Sequence, residues 1–223
     1  MGDVTELVAA AAERARAAAP GLAAADDERL DAALAAIADG LEAAGAELVA
    51  ASEAEVAAAE GTLSPAVIDR LRLDAGRLAG MVDQVRALAE LPAAPRVGGR
   101  TELDGGLEME ERWIPVGVIG ANYEARVNVT LDIATQFVKS RNAGVLRTGG
   151  AALGTASLLM DRVVAPALER AGLPGEAIQL VRTPERAAAH ALVSLPGLIP
   201  LVILRGSGPT TADLAATAAR HGV

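Results

Sequence analysis

Residues Ile114–Gly150, IPVGVIGANYEARVNVTLDIATQFVKSRNAGVLRTGG, decide the fold. A short apolar run, Val116–Gly120, leads into a polar loop and then a helical pattern near Val129–Ser140. A second apolar run follows at Gly144–Arg147. Two short strands joined through a helix-length crossover can only lie parallel, because a tight turn cannot close a parallel pair. The rhythm continues with a helix over Ala152–Ala171, a strand over Ala177–Val181 and a helix over Pro184–Val193. A strand over Leu198–Leu204 and a helix to Arg220 complete it. Residues 115–223 are therefore expected to form an α/β unit built on a doubly wound parallel sheet. Helices on both faces would explain why its strands read as uniformly apolar.

Upstream the pattern is helical. Of the alanines, 32 lie in the first 100 residues and 20 in the remaining 123. A helix over Val4–Ala19 is expected to end at Pro20-Gly21. A second is capped by Asp26-Asp27, with Leu30, Leu34, Ile37 and Leu41 at three- and four-residue steps. Ser52 and Glu55 have capping-box spacing, which predicts a short third helix closed by Gly61. Ser64-Pro65 opens a fourth, whose stripe runs from Val67 to Leu88 with a break near Asp74–Gly76. Between Pro92–Pro95 and Trp113, two extended runs flank Asp104-Gly105-Gly106, a hairpin signal. The organisation read from this is a helical part over 1–95, a β-hairpin over 96–114 and the α/β part over 115–223.

Composition removes whole classes of function. The net charge is −9, from 20 Lys and Arg against 29 Asp and Glu, and the aromatics are Trp113, Tyr123 and Phe137 alone. A phosphate-backbone-neutralising surface and a base-stacking platform are both unexpected, so no nucleic-acid partner is assigned. Cysteine is absent, which excludes disulfides, thiolate metal sites and a cysteine nucleophile from this chain. His190 and His221 have no ligand partner one helical turn away, and no metal site is expected. The Ala191–Leu204 run is too short and too interrupted to span a bilayer. The acidic start, MGDVTELVAA, lacks the basic n-region of an export signal and the serine or threonine of a myristoylation pattern. A soluble cytoplasmic protein without a membrane partner is the expectation.

A parallel sheet binds its ligand at the carboxyl ends of its strands, which singles out three loops. The first holds Tyr123, Glu124, Arg126 and Asn128. Arg126 offers a planar fork for carboxylate or phosphate, and Asn128 could donate to an oxyanion or cap the helix that follows. Glu124 and Arg126 could equally pair with each other. The second is Arg147-Thr148-Gly149-Gly150, whose glycines would let a phosphate or ribose approach the backbone. The third, Arg205-Gly206-Ser207-Gly208, precedes a helix N-terminus whose free N–H groups suit a pyrophosphate.

The runs Ile114–Gly120 and Tyr123-Glu124-Ala125-Arg126-x-Asn128-Val129-Thr130-x-Asp132 resemble gamma-glutamyl phosphate reductase (glutamate-5-semialdehyde dehydrogenase) of the aldehyde dehydrogenase superfamily. Lys139–Ala143, Val145–Arg147, Arg205–Gly208, Leu63-Ser64, Asp69-Arg70-Leu71 and Arg77-Leu78 extend the resemblance over essentially the whole chain. The resemblance implies an aldehyde-dehydrogenase-like fold. It also implies NADPH-dependent reduction of L-glutamate 5-phosphate to L-glutamate 5-semialdehyde and phosphate, in proline biosynthesis, through a cysteine thioester. It assigns Tyr123, Glu124, Arg126 and Asn128 to the substrate, with Asn128 as an oxyanion donor. Arg147, Thr148, Gly149, Gly150 and Arg205, Gly206, Ser207, Gly208 go to NADP. The 96–114 hairpin becomes an arm for homo-oligomerisation.

Departures from the family pattern are specific. The cysteine-bearing catalytic domain lies outside these residues, so the isolated chain is expected to be inactive. The family's lysine after Gly-Gly is missing at Gly149–Ala151, and a charged hydrogen bond to ribose or its 2′-phosphate is worth about 1.5–3 kcal/mol. Val127 stands where the family has proline, and Arg141 where it has glycine. The alternative is a non-catalytic module kept for nucleotide binding or subunit interaction.

Overall fold

The computed structural model describes residues 2–223, and side chains from Val4 onward. The N-terminal reading at Met1–Asp3 lies outside the described side chains. The α/β half contains β3 (Val118–Asn122), α5 (Val127–Lys139), β4 (Ala143–Arg147), α6 (Leu153–Leu159), α7 (Ala165–Arg170), β5 (Ile178–Leu180), α8 (Ala187–Leu192), β6 (Leu201–Leu204) and α9 (Gly208–His221). All four strands are parallel, in the order β5-β4-β3-β6. The chain runs from β3 outward to β4 and β5, then returns to place β6 on the other side of β3. The order therefore reverses between β3 and β6, which makes their carboxyl ends the topological switch point.

Residues of the central strands alternate between two cores, as a period of two demands. Val118, Ala143 and Val145 pack with Val8, Ala11 and Ala15 of α1 (Gly2–Ala24) and with Leu192 and Ile199. Ile119, Ala121 and Leu146 pack on the opposite face with Leu34, Ile37, Leu131 and Leu159. Leu34 and Ile37 belong to α2 (Asp27–Ala59). The N-terminal helices thus cover both faces of the sheet and share its core. The expected cover on every strand fails at β6, where Leu201 and Ile203 are 43% and 44% exposed. This edge strand is apolar yet covered on one face only.

Several helix boundaries differ from the sequence expectation. α1 does not stop at Pro20-Gly21 but runs one more turn to Ala24. Gly21 serves a close approach instead, since a Cβ there would lie 2.6 Å from Pro174 Cγ. The expected third helix is the continuation of α2, so Ser52 caps nothing. Its hydroxyl is fully buried, donates to Leu71 O at 2.9 Å and accepts from Leu73 N at 2.8 Å. This ties down the break between α3 (Pro65–Leu71) and α4 (Ala75–Glu90). Glu55 does cap a helix, but a distant one. Its carboxylate accepts from the amides of Gly154 and Thr155 at 2.7 and 3.1 Å, at the start of α6.

The expected 152–171 helix is interrupted by a π-helical turn, Met160–Val164, just ahead of Pro166, where the missing N–H leaves the regular ladder broken. Gly150–Arg170, rather than Ala191–Leu204, is long and apolar enough to cross a membrane by length and composition, and half of its most apolar window is buried inside the protein. The hairpin forms as β1 (Val97–Leu103) and β2 (Leu107–Arg112), antiparallel, with Gly105 and Gly106 at φ +85° and +78° in the turn. It projects from the body: every β1 residue is exposed, as are Leu107, Met109 and Trp113.

Candidate functional site

Parallel register sets the three polar loops side by side. Arg205 N donates to Asn122 O at 2.9 Å, and Tyr123 N donates to Arg147 O at 3.1 Å, so the loops leave β6, β3 and β4 at one level. They enclose a cleft of about 740 Å3. Its walls carry Arg147, Gly149 and Gly150 from the β4 loop, Arg205, Gly206 and Ser207 from the β6 loop, and Tyr123 and Glu124 from the β3 loop. A smaller cavity of about 280 Å3 adjoins, lined by Arg70, Tyr123, Glu124, Arg126, Val129, Arg205 and Gly206. Arg126 and Asn128 line a third cavity, of about 310 Å3, facing α3 and α4.

The residues singled out in the sequence play unequal parts here. The Tyr123 hydroxyl donates to Thr130 Oγ1 at 2.8 Å inside the core, and burial pushes its pKa well above the ordinary phenol value. Its ring contributes wall, not a polar contact. Asn128 is exposed on the first turn of α5 and is not its cap. The cap position belongs to Arg126, without a side-chain hydrogen bond. Glu124 pairs with Arg70, at 3.3 Å, rather than with Arg126.

Arg147 is 9% exposed and donates to the carbonyls of Glu185 and Pro184 at 3.2 and 3.4 Å. Burial, with help from the nearby Arg186 charge, lowers its pKa from the ordinary guanidinium value. Arg147 Nε and Thr148 Oγ1 are buried without a hydrogen-bond partner among the described residues. Such orphaned groups cost about 1–3 kcal/mol each unless something satisfies them. Ser207 is the N-cap residue of α9 and its hydroxyl donates to Thr210 Oγ1 at 3.1 Å. A Cβ on Gly208 would meet nothing within 4 Å, so the loop is open to a ligand that approaches the backbone.

Other residues reach the cleft that sequence spacing did not mark. Arg70 comes from α3, 54 positions from its partner Glu124; its only signal was the Asp69-Arg70-Leu71 resemblance. Arg186 also lines the cleft, with no ion pair among the described residues. His190 of α8 and Asp213 of α9 face each other in the cleft at 3.4 Å. They are too far apart in sequence for any helical periodicity to join them. Among the described residues no group of three His, Asp or Glu side chains is placed to hold a metal ion.

No protein-family model matches the chain. Over 195 residues it is 43% identical to a gamma-glutamyl phosphate reductase of Chloroflexus aurantiacus, an alignment that covers 86% of this chain and 46% of that protein. The chain is a homologue of the gamma-glutamyl phosphate reductases. A reductase of Aeromonas salmonicida is 42% identical over 197 residues, covering 87% of this chain and 47% of its own. The solved gamma-glutamyl phosphate reductase of Thermotoga maritima superimposes with a TM-score of 0.91 at 25% identity, over 95% of this chain and 51% of that one. A probable aldehyde dehydrogenase of Listeria monocytogenes, 18% identical with a TM-score of 0.72, shares the fold. The chain spans about half the length of the curated reductases it matches. The α/β fold with N-terminal helices, hairpin and parallel sheet is thus that of the reductases and aldehyde dehydrogenases.

Proposed function

We propose that the chain is the coenzyme-binding part of a gamma-glutamyl phosphate reductase, acting in the NADPH-dependent reduction of L-glutamate 5-phosphate to L-glutamate 5-semialdehyde and phosphate, in proline biosynthesis in the cytoplasm. In this reading 115–223 forms the dinucleotide-binding part, and the exposed 96–114 hairpin pairs subunits. The observation that carries it is the 740 Å3 cleft at the switch point, within the ordinary range for a ligand site.

The cleft fits a nicotinamide dinucleotide by its donors. Arg147 and Arg205 stand at two strand ends, Arg186 makes no ion pair among the described residues, and α9 begins at the rim. The coenzyme supplies hydride when bound. This chain's part is to hold and orient it. The N–H groups of Gly208 and Thr210, on either side of Pro209, which has none, and the open Gly206 backbone take a pyrophosphate, where the helix dipole favours negative charge. Arg147, Gly149 and Gly150 form the wall toward the ribose, Thr148 is buried behind that wall and does not line the cleft, and Arg126, Glu124 and Asn128 lie on the substrate side. With no cysteine in the sequence, the chain brings no thiolate for acyl transfer and by itself does not turn over acyl phosphate.

Thermal unfolding with NADPH and NADP⁺ tests this. Binding to the folded state alone contributes about 2.7 kcal/mol at a hundredfold excess over Kd, so the melting temperature rises with coenzyme. No shift at millimolar coenzyme would defeat the reading and leave the second one, a module kept for subunit interaction. That alternative is favoured by the loop 149–151, where the family's lysine has no counterpart.

A further inference from the structure

We infer that Arg70, Arg126 and Arg205 form a binding pocket for one dianionic phosphoryl group, opening from the coenzyme cleft and sharing Arg70, Glu124 and Arg205 with it, with the Glu124 carboxylate as its internal competitor. The inference deepens the reading above and rests on it only for the origin of that phosphoryl group.

Three guanidinium groups and one carboxylate line the 280 Å3 cavity, an excess of two positive charges in a chain whose net charge is −9. They converge from three separate places: Arg70 from α3, Arg126 from the cap of α5, and Arg205 from the end of β6. Like charges gathered this way repel one another, and the Arg70–Glu124 pair together with the Asp132 carboxylate that feels Arg205 offsets this only in part. The side chains of Arg126 and Arg205 make no hydrogen bond or ion pair among the described residues. Among the described residues Arg70 is held by Glu124 alone, at 3.3 Å, with both side chains more than 40% exposed. A pair so exposed is worth little and opens readily.

Size and chemistry agree on the ligand class. Planar guanidinium forks bind phosphoryl oxygens in bidentate fashion, and a dianion has charge and acceptor oxygens enough for more than one of them. Val129, in the first turn of α5, lines the wall, and no side chain caps that helix, so its N-terminal end adds partial positive charge at the rim. Glu124 pairs with Arg70 and yields it to a dianion, which carries more charge and more acceptor oxygens.

Two sources share this chemistry: an acyl phosphate together with the phosphate it releases, and the 2′-phosphate of NADP⁺. Titration calorimetry with inorganic phosphate, NADP⁺ and NAD⁺ on the 223-residue chain distinguishes them. Arg126→Met and Arg205→Met are expected to weaken phosphate binding tenfold or more, and Glu124→Gln to strengthen it several-fold. If the acyl-phosphate group is the source, phosphate still binds when NADP⁺ is saturating. If the 2′-phosphate is the source, phosphate competes with NADP⁺ but not with NAD⁺, and Arg126→Met erases the preference between the two.

Unchanged melting curves for the variants in the absence of ligand keep folding out of the comparison. Phosphate binding that is absent, or equal in the wild type and in Arg126→Met, overturns the inference. Coenzyme binding without phosphate binding overturns this pocket and leaves the coenzyme reading standing. Phosphate binding without coenzyme binding does the reverse.

Discussion

Two loops that look alike in sequence, Arg147-Thr148-Gly149-Gly150 after β4 and Arg205-Gly206-Ser207-Gly208 after β6, prove to be built for different purposes. Arg147 is buried and held by two carbonyls, whereas Arg205 is exposed and its guanidinium makes no hydrogen bond among the described residues. The glycines differ in the same sense. A Cβ on Gly149 would sit 3.0 Å from Ala125 N, and one on Gly150 2.9 Å from Pro184 Cβ. At Gly206 the nearest atom is 3.8 Å away, and at Gly208 none lies within 4 Å. The β4 loop therefore uses glycine to pack its neighbours closely, and the β6 loop keeps its backbone open. One wall of the cleft is rigid and the other receptive.

The largest expected effect breaks the packed wall. Gly150→Ala and Gly149→Ala must push Pro184 or the Ala125 backbone aside, and overpacking of this kind costs about 1–3 kcal/mol. Pro184 O is also an acceptor for Arg147, so the guanidinium loses its seat as well. Urea unfolding should show both variants destabilised, with Gly149→Ala at least as damaged because its neighbour is backbone. Wild-type stability in both would mean that the two loops do not differ as described.

A smaller effect of opposite sign is expected at the open wall. Gly208 begins α9, and alanine in a helix is favoured over glycine by up to about 1 kcal/mol. Gly208→Ala should therefore hold or raise the unfolding free energy while weakening coenzyme binding, because the added methyl stands where a pyrophosphate would approach. Stability and affinity moving in opposite directions is the signature. Unchanged coenzyme affinity would show that no ligand approaches this backbone.

How much of this was legible in the sequence depends on the range of the interaction. The strand–helix alternation, the hairpin and its Asp104-Gly105-Gly106 turn are local, and apolar runs with turn residues announce them. The order of the strands followed from parallel pairing alone only in part, since nothing local says that β6 returns beside β3. Ser52 and Glu55 misled because their capping-box spacing is genuine, while their partners are Leu71, Leu73, Gly154 and Thr155. Arg141 also departs from what its position asks for. It stands at φ +60° in the left-handed region that favours glycine, and is held there by its pairing with Asp27 and a bond to Ala25 O at 3.2 Å. In the site, strand-end arginines and glycines could be found by position. Arg70, Arg186 and the His190–Asp213 pair could not, because the packing of α3 on α2 and of α8 on α9 brings them in. The difference between the two glycine loops likewise lies in what touches them.

The smallest expected effect concerns the charge that Arg205 leaves unspent. Asp132, on α5, is the acid that feels Arg205. Burial raises its pKa above the ordinary value of 3.8, and the Arg205 charge opposes that rise without cancelling it. A carboxyl whose pKa is higher in the folded chain than in the unfolded one binds its proton more readily when folded. Its contribution to stability is therefore most favourable below the ordinary value, declines as pH rises through the window up to the raised value, and is unfavourable above it. Asp132→Asn should thus stabilise the chain more at pH 7 than at pH 4, as measured by urea unfolding at both. Arg205→Met should deepen the penalty at pH 7 in the wild-type background and do little beside Asp132→Asn. If Asp132→Asn instead costs stability at pH 7, the Arg205 charge is already committed to Asp132. The β6 loop would then be as internally satisfied as its β4 counterpart, and the contrast between the two walls would fail.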